Sequence, residues 1–268
     1  MKQIVITGAA GGLGSSTTKL LAENGWKIYA LDYNLDGLKK LSHPNIIPIQ
    51  VDITQEESIR LAYTEISQLT TKLDAIVNFA GVLKMGSVIE NPPSEMERVL
   101  SINLLGTYRT NHIFFDLILN GKGRIINISS ETGVLSPAPF SGFYYLSKHG
   151  VEIYSDALRR ELKYINIPVI KIRPGAFKTE MQGNVDKVMQ QTIDTSIHFK
   201  KQLSKAKGLA KNEAKHAKNP LILAKIIEKA LLAKKPKMVY SANTNWTLKI
   251  ASALPERLQD FIFYHVLK

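Results

Sequence analysis

Seven short runs of β-branched and apolar residues recur along this chain, and amphipathic segments separate them. The runs span residues 4–8, 27–32, 46–52, 73–81, 123–130, 169–175 and 237–241. Their continuous apolar character is typical of strands that are covered on both faces. Strands and helices in strict alternation form a parallel sheet with helices on both sides. We therefore predict that 1–268 is a single α/β domain, built on a doubly wound parallel sheet of about seven strands.

The length and composition fit one large core, since 44% of the 268 residues are hydrophobic. The chain has no cysteine, which excludes disulfides, a thiolate nucleophile and a thiolate metal site. No apolar run reaches the length of about eighteen residues that a membrane span needs. The first strand-like run begins at Lys2, which leaves no room for a signal peptide. These features predict a cytoplasmic protein without a transmembrane segment.

The positive charge of the chain is regional. Of the net +12, residues from Asp186 onward carry +10 and residues 1–185 carry +2. The densest part, 198–219, has few aromatic residues and no DNA- or RNA-binding motif, so we predict no nucleic-acid partner. We interpret it as a solvated helical face. The alternative is a mobile flap that attracts an anionic substrate or an acidic surface.

A glycine-rich turn, TGAAGGLGSST, follows the first strand and opens a helix. Glycines let the backbone turn tightly and approach a pyrophosphate, whose negative charge is then stabilised at the helix N-terminus. The spacing is T-G-x-x-x-G-x-G. We predict that this turn binds a dinucleotide cofactor through Gly8, Gly12, Leu13 and Gly14.

Acidic residues end the second and third strands. Asp32 lies eighteen residues after Gly14, where a carboxylate would bind the adenosine ribose hydroxyls. The same carboxylate would repel a 2′-phosphate, which favours NAD over NADP. Asp52 could accept a hydrogen bond from the adenine amino group, and Ile53 could cover the ring. The alternatives are a turn acid for Asp32 and a helix cap for Asp52.

Four further motifs follow in the order NFAG (78–81), NISSETG (127–133), YYLSK (144–148) and RPGAFKT (173–179). With the glycine turn, they make the chain resemble the short-chain dehydrogenase/reductase superfamily, whose members have a Rossmann-type fold. The segment after Tyr144 and the closing segment most resemble the branch of retinol dehydrogenases and NAD-linked hydroxysteroid dehydrogenases. The resemblance implies an NAD-dependent oxidoreductase that interconverts an alcohol, secondary and apolar or amphipathic, and its carbonyl.

The resemblance also implies a catalytic set of Ser130, Tyr144 and Lys148, with Asn103 organising a water-mediated proton relay to the lysine. As acid/base, Tyr144 would need its pKa lowered from about 10 to about 7, which costs about 4 kcal/mol. Lys148 and the positive nicotinamide could supply this stabilisation. The alternatives are an ordinary strand-end serine for Ser130 and a polar core residue for Asn103.

Other residues of these motifs are expected beside the cofactor. Lys148 would also hold the nicotinamide ribose, and Thr179 would contact the carboxamide. The remaining residues predicted to surround the cofactor are Asn78, Ala80, Gly81, Tyr144, Pro174 and Gly175.

The periodicity of the helix distinguishes its two adjacent tyrosines. Its predicted buried stripe consists of Val151, Tyr154, Leu158, Leu162 and Ile165. At about 100° per residue, Tyr144 and Lys148 lie at the edge of this stripe, facing the sheet and the cofactor. Tyr145 points about 140° away, toward substrate, a partner subunit or water.

The last third of the chain is expected to shape the substrate site. The resemblance implies a substrate lid at 180–218 and a homodimer or homotetramer. The apolar extension at 242–268 would pack on the core or a subunit; the alternative is a peripheral membrane contact. A non-catalytic NAD-binding sensor or interaction module of the same fold is the alternative to an enzyme.

Overall fold

Seven parallel strands form one sheet in the order β3-β2-β1-β4-β5-β6-β7. The computed structural model describes the backbone of residues 1–268 and the side chains of residues 1–179 and 188–268. The strands are β1 (Gln3–Thr7), β2 (Lys27–Asp32), β3 (Ile46–Gln50), β4 (Ala75–Asn78), β5 (Arg124–Ile128), β6 (Val169–Pro174) and β7 (Val239–Ala242). Each predicted strand is confirmed. The strand order reverses between β1 and β4, and a crevice for ligands opens at such a point beyond the carboxyl ends.

Helices cover both faces of this sheet, which confirms the doubly wound α/β fold. They are α1 (Gly12–Glu23), α2 (Leu35–Lys39), α3 (Glu56–Leu69), α4 (Pro93–Leu100), α5 (Gly106–Ile113), α6 (Phe115–Gly121), α7 (Gly142–Leu162), α8 (Glu180–Thr195), α9 (Lys200–Ala214), α10 (Pro220–Leu232), α11 (Trp246–Ser252) and α12 (Glu256–Leu267). One apolar core lies between the sheet and α1 and α10. A second lies between the opposite face and α3, α5, α6 and α7.

The two edge strands depart from the predicted continuous burial. In β3 the side chains of Pro48 and Gln50 are exposed, and in β7 only Ala242 is fully buried. An edge strand has one neighbour, so it can accommodate a proline that lacks the N–H donor. Continuous burial therefore holds for the inner strands, which position the carboxyl-end motifs.

The long helical segment after β4 is interrupted. Between α4 and α5 the chain forms a π-helical turn at Ser101–Leu105, and Asn103 lies in it. Such turns are rare and occur frequently at functional sites, because the extra residue reorients the side chains around it.

Helix α7 confirms part of the predicted stripe. Val151 and Leu162 are buried, but Ile165 is 45% exposed, so its assignment to the stripe was wrong. The α-helix ends at Leu162, and the 3₁₀ turn at Lys163–Ile165 breaks the periodicity. Tyr145 is 7% exposed and stacks on the ring of His149, so of its three expected directions it faces neither water nor a partner subunit.

The predicted lid at 180–218 consists mainly of α8 and α9, although the side chains of 180–187 lie outside the described ones. In the extension at 242–268, Leu267 is buried, whereas Trp246, Ile250 and Phe261 are more than half exposed. Most of its apolar side chains therefore do not join the core of this chain. Among the helices whose residues are described, none combines the length and hydropathy needed to cross a bilayer.

Candidate active site

The glycine turn lies at the point where the strand order reverses. Gly8 has φ +66°, and a Cβ on it would lie 2.6 Å from the Ala80 nitrogen. A Cβ on Gly14 would overlap the Gly8 carbonyl. Both positions therefore require glycine, and the turn leaves the N-terminus of α1, with Leu13 in its first turn, facing the crevice.

The segment after β6 closes against the same turn. A Cβ on Gly12 would lie 2.7 Å from Thr179 Cβ, so the two residues are in van der Waals contact. Pro174 ends β6, and a Cβ on Gly175 would overlap the Asn243 carbonyl. The structure thus brings the predicted pyrophosphate-binding and carboxamide-binding segments together.

Asp32 ties the end of β2 to the glycine turn. Its Oδ2 accepts a hydrogen bond from the Ala10 N–H at 2.9 Å, and its Oδ1 accepts one from the Asn34 N–H at 2.9 Å. A carboxylate has about four acceptor positions, so these bonds leave capacity for ribose hydroxyls.

Asp52 and Ile53 make local contacts. Asp52 Oδ1 accepts hydrogen bonds from the Thr54 N–H at 2.9 Å and the Thr54 hydroxyl at 2.7 Å. Ile53 is buried and packs on Gly106, where a Cβ would meet its side chain at 2.5 Å. The Asp52 bonds form a turn before α3, and the N-cap of α3 is Gln55, so Asp52 is not the helix cap that the alternative named.

Asn78 points into the core. Its side-chain amide donates to Asn111 Oδ1 at 2.7 Å and to Asn127 Oδ1 at 2.9 Å. The side chain therefore joins a buried amide network under the sheet end and supports the backbone that leads to Ala80 and Gly81.

Gly81 lies beside two predicted catalytic side chains. A Cβ on it would lie 3.3 Å from Asn103 Oδ1 and 3.6 Å from Lys148 Nζ. The absence of a side chain at this position therefore keeps open the space between the amide and the ammonium.

Lys148 and Tyr144 lie one turn apart on α7, at the end of β5. Lys148 is buried, and its Nζ donates to the Ile128 carbonyl at 3.0 Å and lies 5.8 Å from the Tyr144 ring centroid. Ser130 Oγ accepts a hydrogen bond from the Thr132 N–H at 3.2 Å. The Ser130 side chain also opposes the rise that burial causes in the pKa of Tyr144, so the two side chains lie near each other. The predicted trio is therefore brought together.

The electrostatics of this trio differ from the expected lowering of the tyrosine pKa. Burial raises the pKa of Tyr144, the nearby Ser130 side chain opposes this, and the Glu131 charge adds to it. Burial also lowers the pKa of Lys148 to about 8. Burial dominates because each group is removed from water without an opposite charge beside it. Further positive charge is therefore needed before Tyr144 can ionise near neutrality.

Asn103 fastens the strand end to α7. Its Oδ1 accepts from the Val82 N–H at 2.8 Å, and its Nδ2 donates to the Val82 carbonyl at 3.0 Å. The same Nδ2 donates to Ser147 Oγ at 2.9 Å, and the Ser147 hydroxyl donates to the Tyr144 carbonyl at 2.8 Å. Asn103, which lies in the π-helical turn, therefore positions the backbone on both sides of the crevice.

Glu131, next to Ser130, was missed from the sequence. It is buried, its Oε2 accepts the Asn245 N–H at 2.6 Å, and its Oε1 lies 2.9 Å from the Cβ position of Gly175. Burial raises its pKa, although the Asn245 hydrogen bond opposes this. The sequence feature that could have revealed Glu131 is its charge, which lies between the motif residues Ser130 and Gly133.

A buried ionic cluster, Glu152 with Lys171, Arg173 and Asp156, was also missed. Glu152 accepts two hydrogen bonds from Arg173, both at 2.8 Å, and pairs with Lys171 at 2.8 Å. Lys171 also pairs with Asp156 at 2.8 Å. Glu152 follows Lys148 by one turn and Arg173 precedes Pro174, so this ionic cluster joins α7 to β6. The sequence feature that could have revealed this cluster is the pair of cations, Lys171 and Arg173, in an otherwise apolar strand, together with two acids spaced i, i+4 on α7.

Across the side chains that the structure describes, no group of three or more His, Asp or Glu residues could hold a metal ion. The candidate site is a crevice at the carboxyl ends of the strands. The glycine turn lies at one end of it, and Ser130, Tyr144 and Lys148 lie at the other.

The fold and this crevice define a dinucleotide-binding protein of the Rossmann type. The family model described as "short chain dehydrogenase" matches residues 2–190, and the chain belongs to that family. The protein is therefore an oxidoreductase of the short-chain dehydrogenase/reductase superfamily, whose members bind NAD(P) and act on small molecules.

Several relatives span much of the chain. A probable short-chain type dehydrogenase/reductase of Helicobacter pylori is 33% identical over 66% of this chain and 66% of its own length. The 17-beta-hydroxysteroid dehydrogenase type 6 of Mus musculus is 29% identical over 97% of this chain and 87% of its own. Retinol dehydrogenase 16 of Homo sapiens is 28% identical over 99% of this chain and 88% of its own length. These relatives confirm the predicted branch.

Among solved structures, an alcohol dehydrogenase from Thermococcus sibiricus, complexed with 5-hydroxy-NADP, superposes with a TM-score of 0.74 at 21% identity. The superposition covers 90% of this chain and 96% of that one. The likeness confirms the fold.

Proposed function

We propose that the protein is an NAD-dependent dehydrogenase/reductase that interconverts an alcohol, secondary and apolar or amphipathic, and its carbonyl by hydride transfer. The observation that carries this proposal is the convergence of Ser130, Tyr144 and Lys148 at the end of β5, on the crevice that the glycine turn opens.

The residues of the crevice fit a dinucleotide. The turn at Gly8 and Gly14 packs tightly on backbone, the N-terminus of α1 can bind a pyrophosphate, and Asp32 can accept from ribose hydroxyls. Its carboxylate would repel a 2′-phosphate, which is why we propose NAD rather than NADP. Bound NAD would supply the acceptor or donor of the hydride.

Tyr144 acts as the acid/base in this proposal. Its raised pKa keeps the phenol protonated at neutral pH, so the site is prepared to donate a proton to a carbonyl oxygen. In the oxidative direction Tyr144 must lose that proton, and positive charge from Lys148 and an oxidised nicotinamide favours the phenolate. Ser130 donates a hydrogen bond to the substrate oxygen.

The wall around the predicted substrate end supports an apolar alcohol. Phe140, which precedes α7, and Phe199 have ring centroids 5.6 Å apart, and both pack with Met85 on the apolar cluster of α8, α9 and α12. Glu90 holds this wall to the segment before α4 by accepting the Ser196 hydroxyl at 2.7 Å. An apolar substrate could bury its surface there.

We also infer that copies of the chain associate through α5 and α7. Large apolar side chains on these helices and the adjoining π-helical turn are exposed, namely Leu105, Tyr108, Leu146 and Ile153. This surface supports the expected homodimer or homotetramer.

The test is turnover by the purified chain with NAD⁺ or NADP⁺ and a panel of sterols, retinoids and hydroxyacyl compounds. Reduced nicotinamide absorbance should appear with NAD⁺, and Tyr144→Phe should lower kcat by about 10²–10⁴-fold without weakening NAD⁺ binding. Tyr145→Phe is the matched control. Full turnover by Tyr144→Phe would refute the mechanism, and NAD⁺ binding without turnover of any compound would favour a sensor.

A further inference from the structure

The turn between α8 and α9 is held by one carboxylate from a distant segment. Glu90 Oε1 accepts hydrogen bonds from the His198 N–H at 2.7 Å and the Ile197 N–H at 3.1 Å. Its Oε2 accepts the hydroxyl of Ser196, which is 5% exposed. The Ser196 bond, followed by the backbone bonds, lowers the pKa of Glu90. Hydrogen bonds to a charged acceptor are about twice as strong as neutral ones, and three of them converge on this side chain.

The same turn places the ring of Phe199. The Phe199 N–H donates to Ser196 Oγ at 3.0 Å, so the residue that bonds Glu90 also fixes the backbone at the start of α9. The Phe199 ring lies against the Phe140 ring, and both pack with Met85 on the apolar cluster of α8, α9 and α12. The position of the Phe199 ring in this apolar wall therefore depends on the Glu90 carboxylate.

Phe140 is held in an unfavourable backbone conformation. Its φ is +65°, in the left-handed region, which is rare for a bulky side chain. Its carbonyl accepts the Gly86 N–H at 2.7 Å, so the segment that carries Glu90 also holds Phe140. Strain of this kind persists only where the surroundings fix it, and it is concentrated at functional sites. Both rings of the wall are therefore fixed from the same segment.

The segment that carries Glu90 also packs against α7. A Cβ on Gly142 would lie 2.5 Å from Val88 Cγ1, so this segment contacts the first residue of the helix that holds the predicted acid/base. On its other side, a Cβ on Gly86 would lie 3.0 Å from Thr192 Cγ2 of α8. The segment therefore lies between α7 and the helices that carry the apolar wall.

We propose that Glu90 is a positioning residue for the alcohol substrate: its carboxylate holds Phe199 against Phe140 and so fixes the wall on which the non-reacting part of the substrate packs. The inference rests on the proposed function, because it concerns the substrate of that same site. Glu90 acts through Phe199 rather than on the reacting atoms, so its loss weakens binding in the ground state and the transition state alike. Such a loss raises KM and leaves kcat unchanged.

Two substitutions at Glu90 differ in how many of these bonds they keep. Glu90→Ala removes all of them, whereas the amide of Glu90→Gln keeps an oxygen for the Ile197 and His198 N–H groups and can donate to Ser196 Oγ. Glu90→Ala should raise the KM of the alcohol about tenfold and Glu90→Gln less than about threefold, with kcat and the KM of NAD⁺ unchanged. Glu97→Ala, on the exposed face of α4, is the control and should change none of these values.

Amide hydrogen exchange reports the turn without a substrate. In Glu90→Ala the Ile197 and His198 N–H groups lose their acceptor, so a peptide spanning 196–203 should exchange about tenfold faster than in the parent. If Glu90→Ala does not fold by circular dichroism, Ser196→Ala replaces it. That variant removes the hydroxyl bond alone and should raise the KM of the alcohol about threefold or more.

Three results would overturn the inference. They are parent-like exchange of this peptide in Glu90→Ala, a lowered kcat with KM unchanged, and an equal effect of Glu97→Ala. Absence of turnover with any alcohol would instead overturn the proposed function, and the exchange measurement would still decide whether Glu90 holds the turn.

Discussion

Glu152→Gln tests whether the buried ionic cluster stabilises the junction of α7 and β6. Glu152 and Lys171 are both almost fully buried, and the carboxylate accepts two hydrogen bonds from Arg173. A neutral amide at this position removes the charge that both cations face. Asp156 remains beside Lys171, at 2.8 Å.

The expected loss in the free energy of unfolding depends on which partners Lys171 and Arg173 keep in Glu152→Gln. Breaking a buried ion pair by removing one partner costs about 3–5 kcal/mol. Lys171 keeps Asp156, and the Arg173 side chain is 24% exposed and can be hydrated, so we expect the lower limit of about 3 kcal/mol. For a chain of this size that corresponds to a fall in Tm of about 6–12 °C.

The assay is thermal unfolding by circular dichroism, with Asp156→Asn as the control. Asp156 is 34% exposed, and in Asp156→Asn both Lys171 and Arg173 keep their pairing with Glu152. We therefore expect this variant to lower the free energy of unfolding by only about 1 kcal/mol. Burial opposes ionisation of Glu152, but the hydrogen bonds from Arg173 and Lys171 outweigh it and hold its pKa below the usual value. The lowered pKa gives stability above the unfolded pKa of about 4.3 that is lost as pH falls through the folded pKa.

The difference in Tm between the parent and Glu152→Gln should therefore be constant from about pH 6 to 8 and shrink below about pH 4. The reasoning would be wrong if Glu152→Gln lowered Tm by less than about 2 °C at pH 7, or if Asp156→Asn cost as much.

Two further variants test charges at the site. Glu131→Gln should lower the pKa of Tyr144, because the carboxylate raises it, and should move the acidic limb of kcat/KM for alcohol oxidation to lower pH. Glu57→Gln, on the exposed face of α3, is the control and should leave the pH profile unchanged. If Glu131→Gln also left the profile unchanged, the Glu131 charge would not act on Tyr144. Asp32→Ala should shift the kcat/KM ratio of NAD⁺ to NADP⁺ toward NADP⁺ about tenfold, measured with one alcohol. An unchanged ratio would remove Asp32 from cofactor selection.

Local patterns predicted the parts of the structure that depend on local geometry. The seven strands followed from short apolar runs, and the turn at Gly8 and Gly14 followed from residues that only glycine can occupy. Helical spacing together with the apolar stripe of α7 placed Tyr144 and Lys148 on one face, and the structure brings both to the end of β5.

What was missed depends on contacts between distant segments. The π-helical turn at Asn103 accompanies the bonds of that side chain to Val82, and no periodicity encodes them. The partners of Glu131 and Glu152 come from residues 114 and 21 positions away. The burial of Tyr145 likewise could not be predicted from helical angle, because it depends on what packs above the helix.

The hydrogen bond from the Asn245 N–H to Glu131 joins the extension at 242–268 to the segment that carries Ser130. The family pattern matches residues 2–190, yet the carboxylate next to Ser130 is capped by backbone from the extension, and Gly175 lies under the Asn243 carbonyl. The extension is thus a structural part of the candidate active site and cannot be exchanged as a module. A chimera that takes its extension from a relative would need a backbone donor at the position of Asn245, or else would bury an uncapped carboxylate.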